Sequence, residues 1–478
     1  MQFTSQLLNG SEKERIHADT LKVLETVGVR YHSEKALKLL ESAGARVDYD
    51  EKIARIPPAL VEHALDAAPK QFTLGARNPQ YDYPLPSPVT RYCMDGTGAF
   101  VQDFHTGEHR YGTDKDNELA LRVFQAMDMG VMAWAPVAAE DKPAHARPLH
   151  EWASMIRFCS KHGQHELHGP EQSPFLAEML IAALGSEDEV KRRRAYSLIY
   201  CPVSPLTHDG PMMDAYFEMG VLDLPIMILP MPVTGTTGPA SLFSNICLAN
   251  AENLSSIIVY QLAHPGRPMI YSSATGTMDM RNGAYVAGSP EMGLMSGALA
   301  EMGRFYGLPS TSAGCTADAR QPGPDVVLEK MITTLAPVLC GSDIIVGFGE
   351  IEGDQLLLLE QIIVDNEIAH FCERLFRGVD SSPQRSLTDD LLAVPPGGNF
   401  LTRKSTRSLA RSDEFLLASL LDHHTLEQWV QLGKPSMYTN ARKKVEEILA
   451  APIQDPVADD VTQKLEEMLQ KADREIKE

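Results

Sequence analysis

The stretch Leu229-Pro-Met-Pro-Val-Thr-Gly-Thr-Thr-Gly-Pro239 leads into a long apolar segment, Ala240 to Leu262, and the same succession then recurs. The apolar run Met269-Ile-Tyr-Ser-Ser273 is followed by the polar turn Asp279-Met-Arg-Asn-Gly283 and by a second helix-length segment. Short apolar runs that alternate with helix-length segments are typical of parallel βα units. Because such folds build their binding sites just past the strand ends, we expect the functional residues there.

Further apolar runs of strand length lie on both sides of this stretch, each followed by a segment compatible with a helix. The predicted strands are Val131–Pro136, His165–His168, Ser197–Cys201, Ile226–Pro230, Met269–Ser273, Ser310–Ala313 and Ile344–Phe348. An eighth, closing strand is expected near Asn399-Phe-Leu-Thr402. Eight such units predict an α/β fold of the (β/α)8 TIM-barrel type rather than an open sheet.

Segments at both ends are interpreted as additions to the barrel. Residues 1–72 are expected to be a helical segment, because their apolar residues from position 11 to 68 have helical spacing. Residues 73–410 are expected to hold the barrel, beginning with a linker to residue 88 and an early β-hairpin whose turn is His105-Thr-Gly-Glu108. Residues 411–478 are expected to form a helical extension that ends in an amphipathic helix.

Composition excludes several classes of partner. The 478 residues carry a net charge of −21, which argues against a nucleic acid or an anionic membrane surface as partner. We find no secretory signal pattern at the start and no apolar run long enough to span a bilayer. The seven cysteines are scattered without a C-x-x-C pair, so we expect a protein of the reducing cytoplasm.

Metal and nucleotide motifs are weak. His162, His165 and His168 are spaced three apart, but Gly163 interrupts the helix on which they would converge, and a further ligand would be needed. A metal-dependent barrel hydrolase or lyase acting through His165 and His168 nevertheless remains an alternative. No P-loop or dinucleotide fingerprint occurs, and no G-x-S-x-G elbow or Cys–His pair marks a nucleophile. No catalytic residue and no metal ligand are therefore assigned.

Aromatic and acidic residues near the predicted strand ends are the candidate site. They are Trp134, Tyr200, Tyr271, Phe348, Asp279, Asp318, Glu350 and Glu352. Aromatic faces with a few carboxylates suit a quaternary ammonium ligand, whose charge is diffuse and which donates no N–H hydrogen bond. Alternatively, several of these side chains pack in the barrel or against its helices.

The chain resembles the trimethylamine methyltransferase family over roughly Leu21 to Leu449. The resemblance rests on the central stretch and on further matching motifs: Asp103-Phe-His-Thr-Gly107, Thr113-Asp-Lys-Asp116, Gly314-Cys-Thr-Ala-Asp318, Glu360 to Ile368 and Gly397-Gly-Asn-Phe-Leu401. It implies a barrel, methylated amines as donors, and the corrinoid (cobalamin) of a separate corrinoid protein as methyl acceptor. Asp103 to Gly107 is one residue short of the corrinoid motif D-x-H-x-x-G, so we expect no tightly bound cofactor of the chain's own.

Departures from the family pattern refine the substrate. Archaeal members carry pyrrolysine at the barrel mouth, whereas this chain has standard residues throughout, with Phe348 to Gln355 as the counterpart region. It also has Lys404-Ser-Thr-Arg407 where the family usually has a histidine. The chain thus resembles non-pyrrolysine members that demethylate quaternary amines such as glycine betaine.

The leading expectation is a quaternary-amine methyltransferase with glycine betaine as donor, working as a homo-oligomer with a corrinoid protein. The candidates for binding the betaine carboxylate are His168, His208, Arg281, Asn282 and Arg320, or a backbone N–H. The alternative from another class is a non-catalytic methylamine-binding or assembly subunit that has kept the barrel and lost turnover.

Overall fold

The computed structural model describes residues 2–477, and its helices and strands are as follows. The N-terminal elements are α1 (Gly10–Thr26), β1 (Val29–Tyr31), α2 (Glu34–Ser42), β2 (Arg46–Asp48), β3 (Ile53–Arg55), α3 (Pro58–Ala67), β4 (Phe72–Leu74) and β5 (Tyr83–Leu85). The central elements are β6 (Arg91–Met94), β7 (Phe100–Gln102), β8 (His109–Tyr111), α4 (Asp114–Gln125), β9 (Gly130–Trp134), α5 (Arg147–Phe158), β10 (His162–His165), α6 (Ser173–Leu184), α7 (Glu187–Arg193), β11 (Tyr196–Tyr200), β12 (Thr207–His208), α8 (Gly210–Glu218), β13 (Ile226–Ile228), α9 (Leu242–Ala263), β14 (Met269–Tyr271), β15 (Thr277–Asp279), β16 (Ala284–Val286), α10 (Pro290–Phe305), β17 (Thr311–Ala313), α11 (Pro324–Leu339), β18 (Ile344–Phe348), β19 (Glu350–Ile351), β20 (Leu356–Leu357) and α12 (Leu359–Arg377). The C-terminal helices are α13 (Thr388–Ala393), α14 (Lys404–Leu409), α15 (Leu426–Gln431), α16 (Met437–Ala450) and α17 (Asp459–Glu475).

Eight parallel strands form the barrel. Their order around it is β6, β9, β10, β11, β13, β14, β17 and β18, and β18 pairs back onto β6. A bridge between Tyr271 and Ser310 joins β14 to β17 and closes the ring. All five residues of β11 and of β18 are buried, as expected of strands covered on both faces. The (β/α)8 prediction is confirmed.

The predicted eighth strand is wrong. Asn399 to Thr402 lies in turns between α13 and α14, and the missing strand is β6, at the start of the barrel. β6 has only four residues and is followed directly by Asp95-Gly96, so its apolar signal is too short to stand out from the hairpin that follows. β10 is also displaced from its predicted position, because it ends at His165 and leaves Glu166 to His168 in the following loop.

Short strands supplement the helices of the N-terminal segment. β1, β2 and β3 form a sheet in which β1 also pairs in parallel with β12, so the segment predicted as helical is α/β. The predicted linker contains the antiparallel pair β4–β5. Gly75 N–H donates to the Arg194 carbonyl and Asn78 N–H to the Ser160 carbonyl, both just before barrel strands. The linker segment therefore covers the amino-terminal end of the barrel and leaves the carboxyl end for other elements.

Two hairpins lie at the carboxyl end. The predicted hairpin is present as β7–β8, and β7 also pairs with β20. A second hairpin, β15–β16, follows strand β14. Helix α4 begins after Thr113, whose N–H and hydroxyl both donate to the Asp116 carboxylate. These loops and caps surround the mouth of the barrel.

Helix α9 is the most apolar element. By length and composition it could cross a membrane, but 78% of the relevant window is buried inside the protein. It packs against α1, α3 and α10, so it is a core helix of the barrel layer. At the other end of the chain, the predicted amphipathic helix is present as α17, which buries Leu465, Leu469 and Ala472.

Candidate functional site

A cavity of about 500 Å³ opens at the carboxyl ends of the barrel strands. The cavity is lined from the carboxyl ends of all eight barrel strands and from the loops that follow them. This end of the barrel is where barrel proteins place their binding sites. The lining residues are Asp95, Gly96, Thr97, Trp134, Glu166, Cys201, Leu229, Met231, Val233, Ala274, Tyr285, Ala313, Thr316, Val346, Gly353, Asp354 and Gln355. All lie within residues 2–477, and this set contains three acids but no Lys, Arg or His.

Asp95 and Asp354 form a pair of buried carboxyls in the wall. Asp95 Oδ1 accepts from the Gly96 N–H at 3.0 Å, while the buried Asp95 Oδ2 and Asp354 Oδ1 accept from no other residue, and the two carboxyls are hydrogen-bonded to each other. Burial raises the pKa of Asp95 to about 6, against the attraction of the Lys330 cation. Burial and the neighbouring Asp95 charge hold the pKa of Asp354 well above its usual range. At neutral pH the pair therefore holds one proton and carries about one negative charge.

Behind this pair lie a neutral acid and a buried ion pair. Both carboxyl oxygens of Glu350 are buried without a partner, and burial raises its pKa well above the usual range, which favours its neutral form. Lys330 Nζ lies 3.0 Å from Asp365 Oδ2, and both side chains are fully buried. The Lys330 ammonium also donates to the carbonyls of Cys315 and Gly347, so its three protons are already in use.

Glu166, which follows β10, is held in its ionised form. Burial opposes its charge, but the hydrogen bond from His168 Nε2, at 3.0 Å, lowers the pKa of Glu166. Nearby, Trp134 Nε1 donates to His165 Nδ1 at 3.1 Å, and His165 Nε2 lies 2.7 Å from Glu151 Oε2. This chain of hydrogen bonds fixes the orientation of the Trp134 indole in the cavity wall.

Tyr285 brings a second aromatic ring to the mouth. It lies on β16, and a Cβ added at Gly276 would come within 2.1 Å of its ring, so only glycine fits there. Asp318 holds the end of the same hairpin by accepting from the N–H groups of Ala287 and Gly288, both at 2.8 Å. The β15–β16 hairpin is thereby anchored with its tyrosine facing the cavity.

The predicted site residues fall into two groups. Of the first group, Trp134 lines the cavity, Glu350 lies behind its acidic wall, Asp318 anchors the hairpin, and His168 pairs with the lining residue Glu166. Glu352 lies at the rim, where its carboxylate is 3.2 Å from His109 and 3.7 Å from Arg320.

The second group lies away from the cavity. The Tyr200 hydroxyl bonds to His208 Nδ1 at 2.9 Å, His208 Nε2 bonds to Ser255, and Tyr271 donates to Asn250, all in the layer between strands and helices. Phe348 stacks on Tyr92 in the core, with ring centroids 4.9 Å apart. Asp279, Arg281 and Asn282 form the exposed tip of the β15–β16 hairpin, where Arg281 is paired with Asp279 at 2.7 Å.

The three spaced histidines do not converge. His162 bonds to the Gly75 carbonyl and to Ser197 Oγ at 2.8 Å each, toward the amino-terminal end, whereas His165 and His168 bind different carboxylates. Within residues 2–477 no group of three or more His, Cys, Asp or Glu side chains could hold a metal ion.

Several lining residues were missed by sequence reasoning. Asp95 follows a strand too short to be recognised, although Asp95-Gly-Thr-Gly98 is itself a polar, glycine-rich turn of the kind expected after a barrel strand. Asp354 and Tyr285 come together with it only through the loops after β18 and β14. Cys201 also lines the cavity, and burial raises the pKa of its thiol, which makes it a poor nucleophile.

Comparison with known proteins agrees with this fold. A sequence model of the family described as Trimethylamine methyltransferase (MTTB) matches residues 3–477. A trimethylamine methyltransferase of Methanosarcina mazei is 30% identical over 485 residues, covering 99% of this chain and 96% of the relative. A glycine betaine methyltransferase of Desulfitobacterium hafniense is 29% identical over 475 residues, covering 99% of this chain and 98% of the relative.

Among solved structures, the monomethylamine methyltransferase of Methanosarcina barkeri has a similar fold. The two superpose with a TM-score of 0.50 at 11% identity, covering 94% of this chain and 89% of the other. At this level of identity the match supports the barrel architecture alone.

Proposed function

The chain belongs to the trimethylamine methyltransferase family, and on that premise we propose that it transfers a methyl group from a quaternary amine to the Co(I) corrinoid of a partner protein. The observation that carries this proposal is the composition of the mouth cavity: two aromatic rings, three carboxyl groups and no basic side chain among the described lining residues. Aromatic faces and diffuse negative charge are the surroundings in which quaternary ammonium ions bind.

The reaction asks little acid–base chemistry of the protein. The C–N bond breaks with its electron pair left on nitrogen, while the methyl carbon bonds to the electron pair of the Co(I) acceptor. A quaternary nitrogen leaves as a neutral tertiary amine, so no general acid is required. The neutral thiol of Cys201 also competes poorly for the methyl group. The task left to the cavity is to hold and orient the cation.

The shared proton between Asp95 and Asp354 suits this task. The cation loses its charge as the methyl group leaves, so a wall with full charge on every acid would stabilise the bound donor more than the transition state. With one proton on the pair and Glu350 neutral, the wall attracts the cation with only part of its possible charge. A cavity closed to water strengthens these remaining interactions.

Partners follow from the same scheme. The acceptor is the corrinoid of a separate protein, which must reach the barrel mouth, and the chain keeps no tightly bound cofactor of its own. Both proteins would meet in the cytoplasm. Asp103 to Gly107, the near-match to a corrinoid motif, forms the β7–β8 turn, where Asp103 accepts from the N–H groups of His105 and Thr106.

A homo-oligomer is supported by the segment 380–432, which we term the apolar arm. Leu420 is its one buried residue, although the arm carries many large apolar side chains. Those exposed by more than half are Leu391, Leu392, Leu401, Phe415, Leu417, Leu426 and Leu432. So much exposed apolar surface is typical of a subunit interface.

Glycine betaine is the donor that the resemblance favours, and one relative at 29% identity carries that name. Its carboxylate needs a hydrogen-bond donor or a cation at the cavity wall. None of the five candidates named for this role lines the cavity. The choice among quaternary amines thus depends on how the wall receives the fourth arm of the donor.

A methyl-transfer assay tests the proposal. The purified chain is incubated with a corrinoid protein in the Co(I) state and a panel of donors: glycine betaine, carnitine, proline betaine, choline and trimethylamine. We expect the visible spectrum to change to that of the methylated corrinoid with at least one quaternary amine. The Trp134→Ala variant should lose at least tenfold in kcat/KM, whereas Arg281→Ala, at the exposed hairpin tip, should match the unmodified chain. Binding without transfer from any donor would instead support a methylamine-binding subunit.

A further inference from the structure

We propose that the donor is a quaternary ammonium ion whose fourth arm is uncharged, such as a hydroxyalkyl arm, and that the cavity discriminates against donors with an anionic arm. This inference rests on the proposed function and specifies its substrate class. It departs from glycine betaine, in which a single methylene group joins the quaternary nitrogen to a carboxylate.

The first observation is the sign of the charge around the cavity. Asp95, Asp354 and Glu166 line it from three different strand ends, and Glu350 stands behind the first two. A fourth-arm carboxylate would be brought against the ionised groups of this set, Glu166 and the singly charged Asp95–Asp354 pair, and like charges held a few ångströms apart in a protein repel strongly. An uncharged arm avoids this repulsion and keeps the attraction between the wall and the quaternary nitrogen.

The second observation is that each nearby basic side chain lies outside the set of lining residues and already has a carboxylate partner. The pairs are His168 with Glu166, Arg281 with Asp279, Arg320 with Glu352, His109 with Glu352 and Lys330 with Asp365. The Lys330 ammonium is fully buried with all its donors used. Redirecting Lys330 to a substrate carboxylate would leave Asp365 buried without its partner, and redirecting His168 would take from Glu166 its hydrogen-bond donor.

The third observation concerns hydrogen bonding at the wall. Trp134 Nε1 already donates to His165, and Thr316 Oγ1 already donates to the Ala287 carbonyl at 3.0 Å. The carboxyls of Asp95 and Asp354 share one proton, and their buried oxygens Asp95 Oδ2 and Asp354 Oδ1 accept from no other residue. One proton leaves lone pairs free on these oxygens, so they can accept a hydrogen bond from a hydroxyl or amide N–H on the donor's fourth arm, whereas a carboxylate has no proton to donate.

Binding measurements on the purified full-length chain test this inference without any corrinoid. The probes are glycine betaine, its amide, in which –CONH₂ replaces the carboxylate at almost the same size, and choline. Isothermal titration at pH 7.5 should give dissociation constants for the amide and for choline at least tenfold lower than for glycine betaine.

A charge-removing variant locates the source of discrimination. Asp95→Asn should bring the ratio of the betaine dissociation constant to the amide dissociation constant down from at least ten toward one, because it removes the negative charge of the Asp95–Asp354 pair. The matched control is Asp66→Asn, which makes the same change at an exposed position on α3 and should leave the ratio unaltered. If Asp95→Asn does not fold, the ratio measured on the unmodified chain still decides the question.

The outcomes separate this inference from the proposed function. Equal or tighter binding of glycine betaine than of its amide would overturn the inference and leave the methyltransferase proposal standing. Failure of all three probes to bind, together with no methyl transfer in the assay above, would overturn both.

Discussion

Asp95 has one carboxyl oxygen bonded to the Gly96 N–H, and its carboxyl is also hydrogen-bonded to that of Asp354. Its charge depends on groups from several elements: Asp354 and Glu350 after β18, and the Lys330–Asp365 pair between α11 and α12. The result is a pKa of about 6 for Asp95, which places its titration within the range of ordinary assays. A single buried carboxyl thus controls how negative the cavity is.

Cation binding should strengthen as the pH rises through about 6. Below that pH Asp95 is protonated and the Asp95–Asp354 pair loses its charge, although Glu166 stays ionised; above that pH the Asp95 carboxylate adds its attraction for the quaternary nitrogen. The dissociation constant of choline or of betaine amide, measured between pH 5 and pH 8, should fall about tenfold or more. Asp95→Asn should flatten this profile, and a flat profile in the unmodified chain would contradict the account.

The same group should cost stability. The folded chain binds the Asp95 proton more tightly than the unfolded chain does, because the pKa of Asp95 is about 6 in the fold against an ordinary value of 3.8. The resulting contribution to the free energy of unfolding is fully present below pH 3.8 and is lost as the pH rises through about 6. Asp95→Asn should therefore stabilise the chain at pH 7.5 by on the order of 1–3 kcal/mol, and much less at pH 4. Differential scanning calorimetry at both pH values measures the difference; an equal or lower Tm for the variant at pH 7.5 would refute it.

Sequence reasoning found part of this site and missed its acidic centre. Trp134 ends a strand with a clear apolar signal, so its place at the mouth could be predicted. Tyr200 and Tyr271 also end strands, but alternate residues of a strand face opposite sides, and these two face the helices. Asp354 could not be recognised, because its meeting with Asp95 depends on two loops whose paths no local pattern specifies.

Among the elements, the β15–β16 hairpin contains the polar turn Asp279 to Gly283 and brings an aromatic ring to the cavity. Its tip, which carries Arg281, is exposed, while Tyr285 on the returning strand lines the cavity. Asp318 fixes the end of the hairpin, and Gly276 leaves room for the ring. The functional residue is therefore the aromatic one and not the cation at the tip.

Replacing the Tyr285 ring should weaken cation binding. Tyr285→Ala removes an aromatic face worth roughly 0.5–2 kcal/mol to a bound cation, so the dissociation constant of choline should rise about 2- to 30-fold. Tyr285→Phe keeps the face and should stay within about twofold of the unmodified chain. Titration calorimetry compares the two; equal losses in both variants would show that the hydroxyl, and not the ring, makes the contact.

The barrel itself was predictable at this scale because seven of its strands are followed by long helices. The eighth strand is β6, which precedes β9, whereas the sequence pattern predicts a closing strand near Asn399, on the C-terminal side of β18. β6 is identified by its partners, β9 and β18, and not by its own four residues. The strands β1 to β3 were missed for a related reason, since each has three residues among helical neighbours.

At the scale of the whole molecule, the apolar arm and the net charge of −21 act in opposite directions. The charge favours solubility, while the exposed leucines and phenylalanines of the arm favour association. A continuous segment that buries one residue of its own needs a partner surface to be stable. A second copy of the chain supplies one.

Light scattering with size-exclusion chromatography should therefore give a mass of at least twice 52.6 kDa at micromolar concentration. The double variant Leu391→Glu with Leu392→Glu should shift the chain toward monomer, because it places charges on the most exposed part of the arm. Val221→Glu, at an exposed apolar residue outside the arm, is the control and should keep the assembly. A monomeric unmodified chain would contradict this prediction.

A quaternary amine with an uncharged arm, bound in the mouth cavity, should give up one methyl group to the corrinoid of the partner protein. The most direct measurement is a single turnover with choline deuterated in its three methyl groups, the purified chain and a reduced corrinoid protein, followed by mass spectrometry. The account predicts one CD₃ group on the corrinoid for each dimethylaminoethanol molecule carrying the remaining two labelled methyl groups. A corrinoid that stays unlabelled while choline is bound would contradict it.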